Sequence, residues 1–287
     1  MLKNKPTVNE HFIPQFYLRS FTMDGERLYQ YDVISNKQTL NPVSIQSICY
    51  KKNLYEFTDN SGNFINRNLI ETCFGKFEGE FANVFHSILS KANNNANYQT
   101  LCFLSTKEKS FLIFFISTLI LRNPDIINIA QQTAFESINK NVTDATARNI
   151  ALQTCLPIYN KLIPEDKNLL CLMLKLFENM SFQIVKTNKK CFLASDKPVI
   201  LHGSYDEKSM ISKIDEVIMP ISSYLLLYMK PLKKTKKEYY NRLVEINTNG
   251  INYFNSAIAQ HCQRWIYSNS RFTEKQIKWI IKERGKV

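Results

Sequence analysis

Turns are what this sequence is short of. Seven glycines and nine prolines in 287 residues amount to about half the roughly 12% share these residues usually hold together. Glycine reverses a chain through its freedom at positive φ, proline through its preset φ. A many-stranded sandwich, barrel or propeller needs such reversals every few residues, so those architectures are disfavoured and a helix-rich chain is expected. The glycines also lie far apart, at Gly25, Gly62, Gly75, Gly79, Gly203, Gly250 and Gly285. A phosphate-cradling loop or a dinucleotide fingerprint brings several backbone N–H groups to phosphate through closely spaced glycines. No segment has that spacing, and nucleotide chemistry of those two kinds is not expected.

Cysteine and histidine patterns narrow the chemistry further. Cys49, Cys73, Cys102, Cys155, Cys171, Cys191 and Cys262 form no C-x-x-C pair, and the four histidines form no H-E-x-x-H. A zinc site would have to gather distant ligands. The odd number fits free thiols in a reducing cytoplasm better than a disulfide framework. The N-terminus lacks the apolar core of a secretory signal. The run Phe111–Leu121 is apolar on every side, but its eleven residues fall short of the about 20 that span a hydrocarbon layer. It reads as the buried centre of a soluble helical bundle, which makes the expected location cytoplasmic.

Periodicity divides the chain into three parts of a single α+β domain, 1–287. Residues 1–65 mix strands (Leu28–Val33, Leu54–Phe57) with turns. From about 66 to 180 the pattern is helical: Phe74, Phe77, Phe81, Val84, Phe85 and Ile88 recur at spacings of three and four, giving one aromatic stripe best read as core. Helices are predicted near 106–122 (stopped by Asn123-Pro124), 125–140, 143–156 and 165–180, with Asn93–Asn97 a polar linker and Pro157 and Pro164 bracketing the last connection. An antiparallel sheet is expected mainly from 181–246. Ser181–Val185 and Cys191–Ala194 flank a turn at Thr187–Lys190, and strands at Val217–Met219, Tyr224–Met229 and Arg242–Ile246 follow. Asn247 or Thr248 can cap a helix running to about 267, and Thr273 a final one to about 284.

Charge is unevenly spread. The net +12 resolves into +2 for residues 1–180 and +10 for residues 181–287. Its densest stretch is Lys230, Lys233, Lys234, Lys236 and Lys237, followed by Tyr239 and Tyr240. Lysines there can neutralise phosphates and the tyrosines can stack on unpaired bases; the plainer alternative is a solvated hairpin tip. The turn at Lys186–Lys190 and the set Lys275, Lys278, Lys282 add to the same half. Nucleic acid is therefore the expected partner of the 181–287 region.

One pattern resembles a known family. His11-Phe-Ile-Pro14-Gln15-Phe-Tyr17-Leu18-Arg19 opens it; Leu28–Asp32, Phe192–Val199 with Ser195-Asp196-Lys-Pro198, Met219–Ser222, and Asn247 leading to Ala257, Arg264 and Tyr267 follow in order. The chain is similar over about 11–267 to the bacterial domain-of-unknown-function family 4238. The resemblance implies one unit over nearly the whole chain and brings no established activity with it.

Four residues from these landmarks carry candidate chemistry. His11 precedes the helix start expected at Pro14, and Gln15 and Arg19 share a helix face. An imidazole beside a guanidinium can move protons and hold phosphate; equally, His11 can brace the entry turn. Asp196 at a strand end can bind a divalent metal ion or fix an Asx-turn. His261 and Arg264 share a face of the penultimate helix, His261 reading as a satisfied core residue. If His11, Arg19, Asp196 and Arg264 meet in one cleft, they suit phosphodiester hydrolysis: arginines on phosphate, Asp196 on a metal, His11 moving a proton. Two function classes stay open: a nucleic-acid-directed hydrolase, in the setting of an accessory or phage-defence effector, and a non-catalytic nucleic-acid- or protein-binding module.

Overall fold

Helices and predominantly antiparallel sheets share the chain in an α+β arrangement. The computed structural model describes residues 6–94, 102–137, 142–156, 169–189, 191–206 and 209–286. Part of the Asn93–Asn97 linker, Pro157, Pro164 and Lys190 lie outside them. The elements begin with β1 (Asn9–His11), α1 (Gln15–Arg19), β2 (Arg27–Asp32), β3 (Lys37–Gln38), β4 (Val43–Ser44), β5 (Tyr50–Lys52), β6 (Phe57–Thr58) and β7 (Phe64–Ile65). The helices α2 (Leu69–Asn94), α3 (Thr106–Leu121), α4 (Pro124–Ser137), α5 (Asp144–Cys155) and α6 (Leu169–Glu178) follow. Then come β8 (Met180–Lys186), β9 (Ala194–Ser195), β10 (Ile200–Asp206), β11 (Ser209–Pro220), β12 (Leu225–Pro231), β13 (Arg242–Glu245), α7 (Thr248–His261), β14 (Trp265–Ser268) and α8 (Glu274–Arg284).

The chain divides into two compact units, each built from three stretches: Met1–Ile13, Cys49–Phe81 and Leu112–Glu178 in the first; Pro14–Ile48, Ala82–Phe111 and Asn179–Val287 in the second. The stretches alternate along the sequence, so no linker marks a boundary.

In unit 1 the aromatic stripe predicted on α2 is core. Phe81 meets Phe115 of α3 at 5.0 Å between ring centroids, and Phe74 meets Tyr55 at 5.3 Å. The apolar run of α3 is buried along Leu112, Phe115, Ile116 and Leu119. It stops where expected, because Asn123 accepts the Asp125 N–H at 2.9 Å and Pro124 opens α4. Among the described residues no single helix is long and apolar enough to cross a membrane; α3 and α4 qualify only together, across a 62° bend.

Unit 2 holds two sheets. One has the order β10-β11-β12-β8-β13, the other β3-β2-β14-β9 with β4 also paired to β2. Four expectations change here. Residues 181–194 do not close a hairpin: β8 pairs with β12 and β13, while β9 joins β14 in the other sheet, because the Thr187, Cys191 and Phe192 amides donate to the carbonyls of Ser223 and Tyr224 instead. The sheet is antiparallel except at its edge, where β13 runs parallel to β8. The Lys-rich stretch is consequently not a hairpin tip; it crosses past β8 through two short 3-10 turns, Leu232–Lys234 and Lys237–Tyr239. Finally, α7 ends at His261 rather than near 267, and Trp265–Ser268 forms β14 between β2 and β9. The predicted caps are in place: Asn247 accepts the Gly250 N–H, and Thr273 forms a reciprocal capping box with Gln276. Phe254, Ala257 and Ile258 of α7 share a core with Val185, Ile200, Ile218 and Leu226 of the first sheet and Tyr31 and Ile266 of the second.

Glycine is not what makes most of the tight turns. Left-handed backbone occurs at Gly25 and Gly62, but also at Asn36, Asn53, Asn66, Asn68 and Asn241, with Cys49 and Cys102. Asparagine tolerates this region through local side-chain hydrogen bonding.

Candidate functional site

The densest set of titratable side chains in unit 2 surrounds Glu216 on β11. Its neighbour across the strand pair is His202 of β10, whose Nδ1 lies 3.5 Å from Glu216 Oε2. Tyr228 and Lys230, two residues apart and therefore on one face of β12, both reach Oε1: the tyrosine hydroxyl donates at 2.5 Å and the ammonium lies at 3.0 Å. From α7, the Tyr253 hydroxyl donates to Oε2. One turn short of that helix's end, Ala257 accepts from His261 Nδ1 at 3.0 Å, and the His261 ring stands 4.9 Å from that of His202. An open depression of about 630 Å³ is lined by His202, Gly203, Asp215, Glu216, Lys230 and Lys234. Lys234 pairs with Asp215 at its rim, 2.5 Å away.

Electrostatics assign protonation states. Burial works to raise the Glu216 carboxyl, but hydrogen bonds from His202, Tyr228, Tyr253 and Lys230 outweigh it and hold the group well below the usual carboxylate range. Burial and the bond to that carboxylate push both tyrosines above the ordinary phenol value. Burial, with the nearby charges of His202 and Lys197, lowers His261 against the opposing bond to Ala257. At neutral pH the centre therefore holds an ionised carboxylate, two neutral phenols and a neutral His261. With its Nδ1–H directed at the Ala257 carbonyl, neutral His261 keeps a lone pair on Nε2.

The landmarks expected to carry chemistry lie elsewhere. Asp196 follows β9 and is buried. Its Oδ1 accepts the Gln263 N–H at 2.9 Å, and its Oδ2 accepts those of Arg264 and Trp265 at 2.8 and 2.9 Å. Burial nevertheless raises it above the ordinary aspartate value, overcoming those three bonds. Both oxygens are thus spent on the main chain, and among the described residues no group of three or more His, Cys, Asp and Glu side chains is placed to hold a metal ion. Arg264 donates through Nε and Nη2 to Asp32 Oδ2, at 3.0 and 2.8 Å, with its guanidinium 4.7 Å above the Trp265 ring. The Arg264 bond, with backbone bonds from Ile34 and Ser35 adding to it, holds Asp32 below the usual range against burial. Asp196 and Arg264 are therefore brought together, with Asp32 as a third member, and they fix the chain where α7 gives way to β14. Arg19 is exposed and donates to the Gly25 carbonyl at 3.2 Å. His11 belongs to unit 1, on β1, its ring tilted against Tyr50 at 5.7 Å.

The lysines divide into two groups. Lys230 and Lys234 are committed to Glu216 and Asp215, whereas Lys233, Lys236, Lys237 and Tyr239 are exposed on the 3-10 turns beside them. Those turns are anchored rather than loose: the Tyr240 hydroxyl donates to the Leu232 carbonyl at 2.7 Å, and Thr235 Oγ1 lies 3.0 Å from Ser181 Oγ. Lys186 donates to the Ala92 carbonyl, and Lys275, Lys278 and Lys282 are exposed on α8. Glu216, His202, Tyr228 and Tyr253 escaped the sequence reading. The one signal available was the period-two placement of Tyr228 and Lys230 in an otherwise apolar strand.

Among proteins already described, residues 9–272 match the model of one family, described as a protein of unknown function (DUF4238). No curated protein and no solved structure matches.

Proposed function

The chain belongs to the DUF4238 family, and with no activity to inherit from it we propose, from these side chains, a nucleic-acid-directed hydrolase whose acid–base centre is the Glu216 depression. The observation that carries this reading is the junction of two features. His202, held against Glu216 and with the His261 ring 4.9 Å away, borders a depression whose rim continues into exposed Lys233, Lys236 and Lys237. Glu216 orients His202, as a carboxylate behind a general base does, and His202 Nε2 takes the proton from the attacking hydroxyl or water. The rim pair Lys234–Asp215 is exposed, and such pairs contribute only about 0–1 kcal/mol, so a phosphate oxygen can replace Asp215 at little cost. Lys230 supplies charge beside the reacting phosphorus. Lys233, Lys236 and Lys237 follow the strand, and Tyr239 offers a face for stacking. Asp196 and Arg264 are positioning residues, acting through residues 263–265, which directly follow the helix end that bears His261. A cellular setting as an accessory or phage-defence effector is part of the same proposal.

The test is cleavage of labelled single-stranded RNA and DNA, with and without divalent cations. Loss of a general base costs about 10²–10⁴-fold in rate, and that loss is expected for His202→Ala. His11→Ala and Arg19→Ala, assayed alongside, read the remaining members of the landmark set. Binding that weakens steeply with salt while nothing is cut favours the non-catalytic module, which the fully hydrogen-bonded Glu216 carboxylate would also suit. Neither cleavage nor salt-dependent binding removes both readings.

A further inference from the structure

Unit 1 buries several acids around a single strand. Glu10 of β1 is fully buried. Its Oε2 accepts the Tyr55 N–H at 2.7 Å, while its Oε1 is enclosed with no hydrogen-bond partner. Glu56, the residue after Tyr55, is also buried, and its Oε1 accepts the Asn68 N–H at 2.9 Å. Glu71, in the first turn of α2, has an enclosed and unpartnered Oε2. The cations facing this group are already engaged. Arg122, at the end of α3, donates to the Tyr55 hydroxyl at 3.3 Å, to Glu78 at 2.9 Å and to the His11 carbonyl. Arg148 of α5 donates to the Leu54 carbonyl at 2.6 Å.

A fully buried carboxylate with an unpartnered oxygen and other acids for neighbours is driven to keep its proton. A proton on Glu10 removes the charge from an enclosed oxygen at which no donor is aimed. We propose that Glu10 holds a proton at neutral pH, and that its loss at alkaline pH weakens the attachment of β1 to residues 53–56, making unit 1 responsive to pH. Without the proton, a negative charge is enclosed beside other acids at the Tyr55 amide that ties those segments. Burial is the largest influence on Glu10; the Tyr55 N–H opposes it, while Glu56 and Glu71 add to it, leaving the group at about 8. Burial takes Glu71 to about 7 against the pull of Arg122. The folded chain therefore binds these protons more tightly than the unfolded one. Stability from this source is complete below about 4.5, falls as pH rises toward about 8 and levels off above it.

Urea unfolding of the full chain between about pH 5 and about pH 9 tests this. Each proton released steepens the unfolding constant by up to about tenfold per pH unit. Glu10→Gln keeps the shape and removes the titrating group, so it should remove about one proton of that slope. Relative to wild type it should gain at least about tenfold in folding equilibrium between the acid and alkaline ends. Infrared spectra of folded wild type at neutral pH should show a protonated carboxyl C=O band that weakens in Glu10→Gln. Parallel slopes in the two proteins, no such band in folded wild type, or a band unchanged by the substitution each overturn the proposal; the wild-type spectrum decides even if the variant fails to fold.

Discussion

Glu10 in unit 1 and Glu216 in unit 2 are both shielded from water, and both feel burial as the largest influence on their charge. They end on opposite sides of neutrality. Glu216 collects two hydroxyls, an ammonium and an imidazole; Glu10 collects one backbone amide and faces other acids. Asp196 falls between them: three backbone amides are not enough to offset its enclosure, and it stays raised. What decides the charge of these carboxylates is the number and kind of donors aimed at each. Unit 1 is organised so that protons are retained, unit 2 so that a carboxylate is kept ionised beside two imidazoles.

The sharpest way to break this contrast is to remove Arg122, the fully buried guanidinium of unit 1. Arg122→Met leaves half-buried Glu78 without its partner, and the loss should approach the cost of deleting one member of a buried pair, about 3–5 kcal/mol. Urea denaturation at neutral pH should show that loss, shrinking toward pH 5 as the acids protonate. Next in size, Asp196→Ala strands the amides of Gln263, Arg264 and Trp265, and an orphaned buried donor costs about 1–3 kcal/mol. Under the hydrolase proposal the same substitution should also lower cleavage of the labelled strands by shifting His261, whereas a purely local turn would leave any cleavage unchanged. Glu216→Gln should then cost about 1–3 kcal/mol in stability. It should also bring Tyr228 and Tyr253 back toward ordinary phenol titration, visible as tyrosinate absorbance appearing at lower pH. Smallest of all, Lys233→Glu with Lys237→Glu should leave stability within about 0.5 kcal/mol, as exposed substitutions do, while flattening the salt dependence of nucleic-acid binding. Unchanged binding would detach the basic turns from the depression.

What could be read from the sequence was what neighbouring residues decide. The stop at Asn123-Pro124, the Asn247 cap and the Thr273–Gln276 box are settled within four residues and stand where the pattern placed them. The end of α7 was misplaced because it is settled at a distance: Asp196, 67 positions before Gln263, takes the amides that would otherwise continue the helix, and Trp265–Ser268 finds partners in β2 and β9. The same holds for the candidate site. His202, Glu216, Tyr228 and Tyr253 come from three strands and a helix, and nothing local distinguishes Glu216 from a solvated acid at a strand end. Of the four residues grouped from the family landmarks, Asp196 and Arg264 touch, through the Arg264 main-chain N–H; Asp32, which takes the Arg264 guanidinium, lies 232 residues away in the chain and was not among the four.

The shortage of glycine has a consequence at the level of the gene. Among the described residues, five left-handed positions are filled by asparagine, against two by glycine. Glycine codons begin with paired guanines and asparagine codons with paired adenines. A coding sequence drifting away from guanine can thus give up glycine and keep its sharp turns, provided asparagine takes over the positions where φ is positive. Counting glycines in such a protein underestimates how often its backbone reverses.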